Sequence, residues 1–98
     1  MFCRIIGFPL SKPRSVKLWR DFFKKKKIKI SMMPLQIKPI NFKKKFKNMI
    51  NDKRFLAAAV TMPYKKKLYS LVNVTDRVTK FSKSINLIIK KKNNLYGF

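Results

Sequence analysis

Residues 55–61 read FLAAAVT. Seven residues without a charge are too few for a buried helix, and too apolar for a strand with one face in water. A strand covered on both faces satisfies the run, and such strands belong to parallel sheets flanked by helices. The chain must therefore supply helices on two sides of a sheet. Residues 2–7, FCRIIG, read as a first strand ended by Gly7 and Pro9. A helix starts at Ser15, which caps it, groups Trp19, Phe22 and Phe23 near one face, and ends in the lysines of 24–27. Residues 28–33, IKISMM, form the next strand, and Pro34 and Pro39 bracket an extended connection. Asn41 then caps a helix with Phe42, Phe46, Met49 and Ile50 on one side and lysines on the other.

Beyond the central run, a helix is expected from Pro63 to about Val72, with further helical turns around Asp76–Ser82. Residues 84–91, SINLIIKK, alternate as a strand, with Ile85, Leu87 and Ile89 on one face and Asn86 and Ile88 on the other. Asn93 and Asn94 make a turn into a last strand, LYGF. The order β-α-β-α-β-α-β-β defines an α/β fold with a mostly parallel or mixed sheet flanked by helices. The 98 residues suffice for one domain, 1–98.

Composition narrows the chemistry. Histidine is absent and Cys3 is the sole cysteine, which removes the commonest general base, metal-ligating clusters and internal disulfides. A reducing cytoplasm is the default compartment. No uncharged apolar run reaches the roughly 18 residues a membrane helix needs. With two glycines, Gly7 and Gly97, the chain has no glycine-rich phosphate loop and no dinucleotide fingerprint. Lys and Arg number 26 against 3 Asp, for a net charge of +23. Such a charge attracts polyanions such as nucleic acid without specificity. It equally suits a solvated lysine surface from A/T-rich codons, since Ile, Asn, Phe and Lys are all frequent.

The stretch VTMPYK, residues 60–65, ends the central strand. In α/β sheets, ligands collect at the carboxyl ends of strands. Thr61 stands there, and with Pro63 opening a helix, Lys65 falls in its first turn, where a cation opposes the helix dipole. A lysine so placed suits proton transfer. The plain alternative is that Thr61 only caps a helix and Lys65 is one lysine among many.

VTMPYK resembles the Asn-Val-Thr-x-Pro-Tyr-Lys motif of shikimate dehydrogenases, in their N-terminal substrate-binding domain. Four further pieces keep the family's order along the chain. IIGFPL (5–10) resembles the family's opening Ile-Gly-x-Pro-Ile, and the helix from Ser15 to Phe23 its Ser-x-Ser-Pro helix. SINL (84–87) resembles the Gly-Ala-Val-Asn-Thr strand, and NLYGF (94–98) the stretch leading to Gly-x-Asn-Thr-Asp.

The resemblance implies a three-layer α/β/α domain that binds shikimate or 3-dehydroshikimate. It implies that Ser15 holds the substrate carboxylate, Thr61 offers a hydroxyl, Lys65 is the catalytic lysine and Asn86 binds a ring hydroxyl. The full enzyme so implied reduces 3-dehydroshikimate with NADPH, and this chain lacks its NADP-binding domain and the aspartate partner of the lysine. The departures are Pro13 where the family has a serine (Ser11 stands nearby), Trp19-Arg20 for His-Asn, Ala59 for Asn, and Leu87 for Thr. They leave open an inactive relative or one preferring quinate. The other alternative is a basic nucleic-acid-binding module.

Overall fold

A computed structural model describes residues 1–10 and 14–98, with the backbone alone of 14 and 15. Six strands form one sheet: β1 (Phe2–Gly7), β2 (Ser31–Gln36), β3 (Phe55–Val60), β4 (Asn73–Val74), β5 (Leu87–Lys91) and β6 (Asn94–Gly97). Their order is β2-β1-β3-β5-β6-β4. β1 pairs in parallel with β2 and β3, β5 runs antiparallel between β3 and β6, and β4 lies parallel to β6. The helices are α1 (Arg14–Lys25), α2 (Phe42–Asn51) and α3 (Arg77–Ser82). The expected mixed α/β sheet is present.

The central run behaves as its composition requires. Ala58 and Val60 point to the α2 side, into a core with Ile6, Phe42, Phe46, Met49, Tyr64 and Ile88. Ala57 and Ala59 turn the other way, towards Cys3, Ile5, Met32, Val16 and Phe23 under α1. The α2 stripe read from the sequence is the buried one: Phe42, Phe46 and Met49 pack inward, and Lys43, Lys44, Lys45 and Lys47 are exposed.

Several expected boundaries move. β2 runs from Ser31 through Pro34 to Gln36 rather than over 28–33. It is an edge strand, and its odd-numbered residues turn their N–H groups to β1: Ser31 donates to Met1, and Ile37 just beyond it to Gly7. Pro34 therefore directs its missing donor outward, where no ladder bond is lost. Helix α1 begins at Arg14, which puts Ser15 inside its first turn instead of at the cap. Asn41 precedes α2, but its side chain makes no capping bond. Ile85 lies outside β5 and joins Ile88 in the α2-side core, not Leu87 and Ile89.

The largest correction follows Thr61. No α-helix starts at Pro63: residues 62–66 turn, and a 3₁₀ helix covers Lys67–Leu71. The Lys65 carbonyl accepts from the Ile85 N–H at 2.7 Å, so it is drawn out of a helical ladder, and the Tyr69 N–H turns to Lys66 at 3.2 Å. Strand β4 then forms where the helix was expected to end. The closing turn sits one residue early, at Lys92-Asn93, both with positive φ (49° and 66°).

Candidate functional site

The upper rim of the sheet is stitched together by backbone bonds. The Thr61 N–H donates to the Ile6 carbonyl at 2.9 Å, and the Phe8 N–H to Met62 at 3.0 Å. The Val60 N–H donates to Asn86 at 2.8 Å, and the Ile85 N–H to Lys65 at 2.7 Å. The N–H groups of Asn86 and Leu87 both donate to the Phe98 carbonyl, at 2.7 and 3.0 Å. Because β5 is antiparallel to β3, the residue that enters β5 meets the residue that leaves β3. Thr61, Lys65 and Asn86, separated by up to 25 positions in sequence, thus share one rim.

Each side chain has a distinct state. The Thr61 hydroxyl donates to the Ile6 carbonyl at 2.9 Å, so its proton is engaged and its lone pairs remain to accept. Lys65 is half-buried, and Asn86 is exposed. Among the described residues, neither the Lys65 ammonium nor the Asn86 amide has a protein hydrogen-bond partner. With no α-helix beginning at Pro63, no helix dipole acts on Lys65. The rim thus offers an acceptor, a cation with three donors, and an amide able to do both. That set suits an anion carrying hydroxyl groups.

The side chain of Ser15, together with Ser11 and Pro13, lies outside the described residues. Of the departures at Trp19-Arg20, Arg20 donates from Nε to the Met32 carbonyl at 3.0 Å on the outer edge of β2, and Trp19 packs edge-on against Phe22 with centroids 5.9 Å apart.

Sequence reasoning missed three residues that shape the rim. Gly7 is required by proximity: a Cβ there would sit 1.8 Å from Thr61 Oγ1. Tyr64 is only 1% exposed and stacks on Phe42 with centroids 4.3 Å apart. Its hydroxyl donates to the Ile37 carbonyl, and burial pushes its phenol above the usual range. It anchors the turn that carries Thr61 and Lys65. Gln36 accepts the Leu10 N–H on Oε1 at 2.8 Å, which ties the loop after β1 to the end of β2. Gly7 and Tyr64 stood in the quoted motifs; Gln36 gave no signal.

The acids are elsewhere. Asp52 is gripped by Arg54, Nε at 3.1 Å and Nη2 at 3.0 Å, and its carboxyl is held down at about 2 by those bonds. Asp76 caps α3, accepting from the N–H and hydroxyl of Thr79 at 2.8 Å each, which lowers its carboxyl. Both glycines sit where neighbours crowd them, Gly7 against Thr61 and Gly97 against Val72 and Ile85, so neither opens a cradle for a pyrophosphate. Among the described residues, then, no glycine cradle for a dinucleotide is found.

This architecture, a mixed sheet with hydroxyl, amide and amine groups at the rim where β3 ends and β5 begins, defines an α/β ligand-binding domain. A family model described as the shikimate dehydrogenase substrate binding domain matches residues 5–88, and the chain belongs to that family. Solved structures agree in fold. Shikimate dehydrogenase 1 from Peptoclostridium difficile is 22% identical with a TM-score of 0.89, over 99% of this chain and 36% of that one. The enzyme from Aquifex aeolicus is 21% identical with a TM-score of 0.90, over 98% and 36%. Shikimate 5-dehydrogenase from Thermus thermophilus, solved in complex with shikimate, is 13% identical with a TM-score of 0.89, over 100% and 37%. The chain therefore spans about a third of the length of these structures. No curated protein matches the sequence.

Proposed function

We propose that residues 1–98 act as one substrate-binding unit for shikimate or 3-dehydroshikimate. The observation that carries this is the meeting of Thr61, Lys65 and Asn86 at one rim through the Val60–Asn86 and Ile85–Lys65 backbone bonds. Lys65 supplies the charge for an oxygen that becomes a carbonyl, Asn86 bridges a ring hydroxyl, and Thr61 accepts from another. Ser15 takes part of the carboxylate. In the complete enzyme the reaction is NADP-dependent reduction of 3-dehydroshikimate in aromatic amino-acid biosynthesis, in the cytoplasm. The 98 residues bind substrate without turning it over, because hydride transfer needs a cofactor that another polypeptide segment must hold.

Titration of the chain with shikimate, followed by NMR shifts of Asn86 and Thr61, tests this. Saturable binding with Kd on the order of millimolar is expected, since a few aimed hydrogen bonds must offset the freedom lost on association. Lys65→Ala should weaken it by about tenfold, the effect of one charge-assisted bond. An absence of saturation, or equal affinity for cyclohexanecarboxylate, would overturn the reading.

A further inference from the structure

Strand β1 carries a cation where its pattern calls for an apolar residue. Phe2, Arg4 and Ile6 alternate onto the α2 face of the sheet, and Arg4 lies between Met33 of β2 and Ala58 of β3. Ile6 and Ala58 are fully buried. Arg4 is half-buried, and its guanidinium lies over the Phe2 ring, 5.0 Å from the centroid. Among the described residues it has no hydrogen-bond or ion-pair partner. A guanidinium presents five donors in a fixed fork, and one withdrawn this far from water calls for an acceptor.

A hollow of ≈ 310 Å³ opens beside Arg4, between the sheet and one flank of α2. Lys45 and Asn48, on successive turns of α2, and Asp52 just past its end supply the polar lining. Phe2, Leu35 and Met49 supply the apolar part. Asp52 is already satisfied. Its Oδ1 accepts from the Arg54 backbone N–H at 2.8 Å and from Nε at 3.1 Å, and its Oδ2 from Nη2 at 3.0 Å. That pair is neutral, so the charges of Arg4 and Lys45 stand uncompensated beside an amide. A second hollow of ≈ 260 Å³ shares Phe2, Arg4 and Asp52 with the first and reaches Ser31, where β2 begins. Both lie towards the edge where β1, β2 and β3 start, opposite the rim.

We propose that this hollow binds a small phosphate monoester, its phosphate between Arg4 and Lys45 and its apolar body against Phe2, Leu35 and Met49. Two free cations match a dianion, whereas a carboxylate would offset only one of them. The Arg4 fork takes two phosphate oxygens while its face stays on Phe2. Lys45 adds a movable point charge, and Asn48 donates an amide N–H. The apolar wall favours an ester over bare phosphate, because only the ester has carbon to bury there. A merely solvated lysine surface makes no such selection. The site is separate from the rim and does not depend on what the rim binds.

Phenyl phosphate is the probe, followed by the NMR signals of the Arg4 Nε–H and the Asn48 side-chain amide. Saturable binding is expected, tighter than that of inorganic phosphate or benzoate. It should be tighter at pH 7 than at pH 5, because the second phosphate proton leaves at about pH 6. Lys45→Ala, at an exposed position, and Arg4→Gln, checked by circular dichroism, should each weaken it about tenfold. Lys43→Ala combined with Lys47→Ala, both on the outward side of α2, should leave it unchanged, and excess shikimate should not displace it. Five outcomes would overturn the proposal. They are no saturation, undiminished affinity in Lys45→Ala, an equal loss in the Lys43 and Lys47 double variant, benzoate binding as tightly as phenyl phosphate, and displacement by shikimate.

Discussion

The rim is set by small steric and hydrogen-bonding facts. Gly7 faces Thr61 so closely that an added methyl would occupy the hydroxyl's own position. Gly7→Ala must therefore push Thr61 off Ile6, costing about 1–3 kcal/mol of stability through overpacking, and it should abolish shikimate shifts at Thr61 while the fold persists by circular dichroism. Tyr64 makes the complementary case. Tyr64→Phe keeps the ring but leaves the buried Ile37 carbonyl without its donor, a loss of about 1–2 kcal/mol readable in urea melts. The sign with pH follows from its raised phenol pKa. The folded state holds the proton more tightly than the unfolded chain, so this contribution is intact below about pH 10 and is lost as pH rises through the folded value. The difference between wild type and Tyr64→Phe should shrink in that window. Thr61, Lys65 and Asn86 could be named from the sequence because they stand in motifs. Gln36 could not, because its role depends on where a loop 26 residues away arrives.

At the scale of elements, local pattern was a good guide where burial and periodicity agree and a poor one where a non-local partner intervenes. Helix α2 and strand β3 are legible because their own side chains dictate them. The stretch after Pro63 has helical spacing, but Ile85 takes the Lys65 carbonyl and Tyr64 must reach Ile37, and neither partner is visible locally. β2 was misplaced because proline normally ends a strand; only the sheet order reveals that Pro34 faces an open edge. The β5–β6 hairpin carries a testable flaw. Its two-residue loop, Lys92-Asn93, holds both residues at positive φ, where lysine is strained and Asn-Gly is favoured. The double change Lys92→Asn with Asn93→Gly should raise stability by about 0.5–1 kcal/mol, seen as a higher urea midpoint at unchanged slope. A lower midpoint would mean that the loop is not the primed turn its φ values indicate.

The whole molecule is an excess of cations wrapped round a small core, and its response to acid follows from that. Two of the three carboxylates are structural: Asp52 grips Arg54 beside the entry to β3, and Asp76 caps α3. Both pKa values are depressed by folding, Asp52 to about 2. Protons therefore bind the unfolded chain first. The stabilisation is complete above the ordinary carboxylate value near pH 4 and drains away as pH falls through the folded values. Over the same interval the negative charges that offset 26 Lys and Arg disappear, so self-repulsion grows as the two anchors fail. Thermal melts between pH 5 and 2 should show Tm falling most steeply below pH 4. Salt at 0.5 M should restore part of the loss, since screening at a Debye length of a few ångströms weakens repulsion more than a direct bidentate pair. Asp76→Ala should start from a lower Tm at pH 7 and lose less on acidification, having no cap left to protonate. A Tm that stays level down to pH 2 would show that neither the aspartates nor charge repulsion governs acid stability, and an equal fall in Asp76→Ala would show that the Asp76 cap contributes nothing to it.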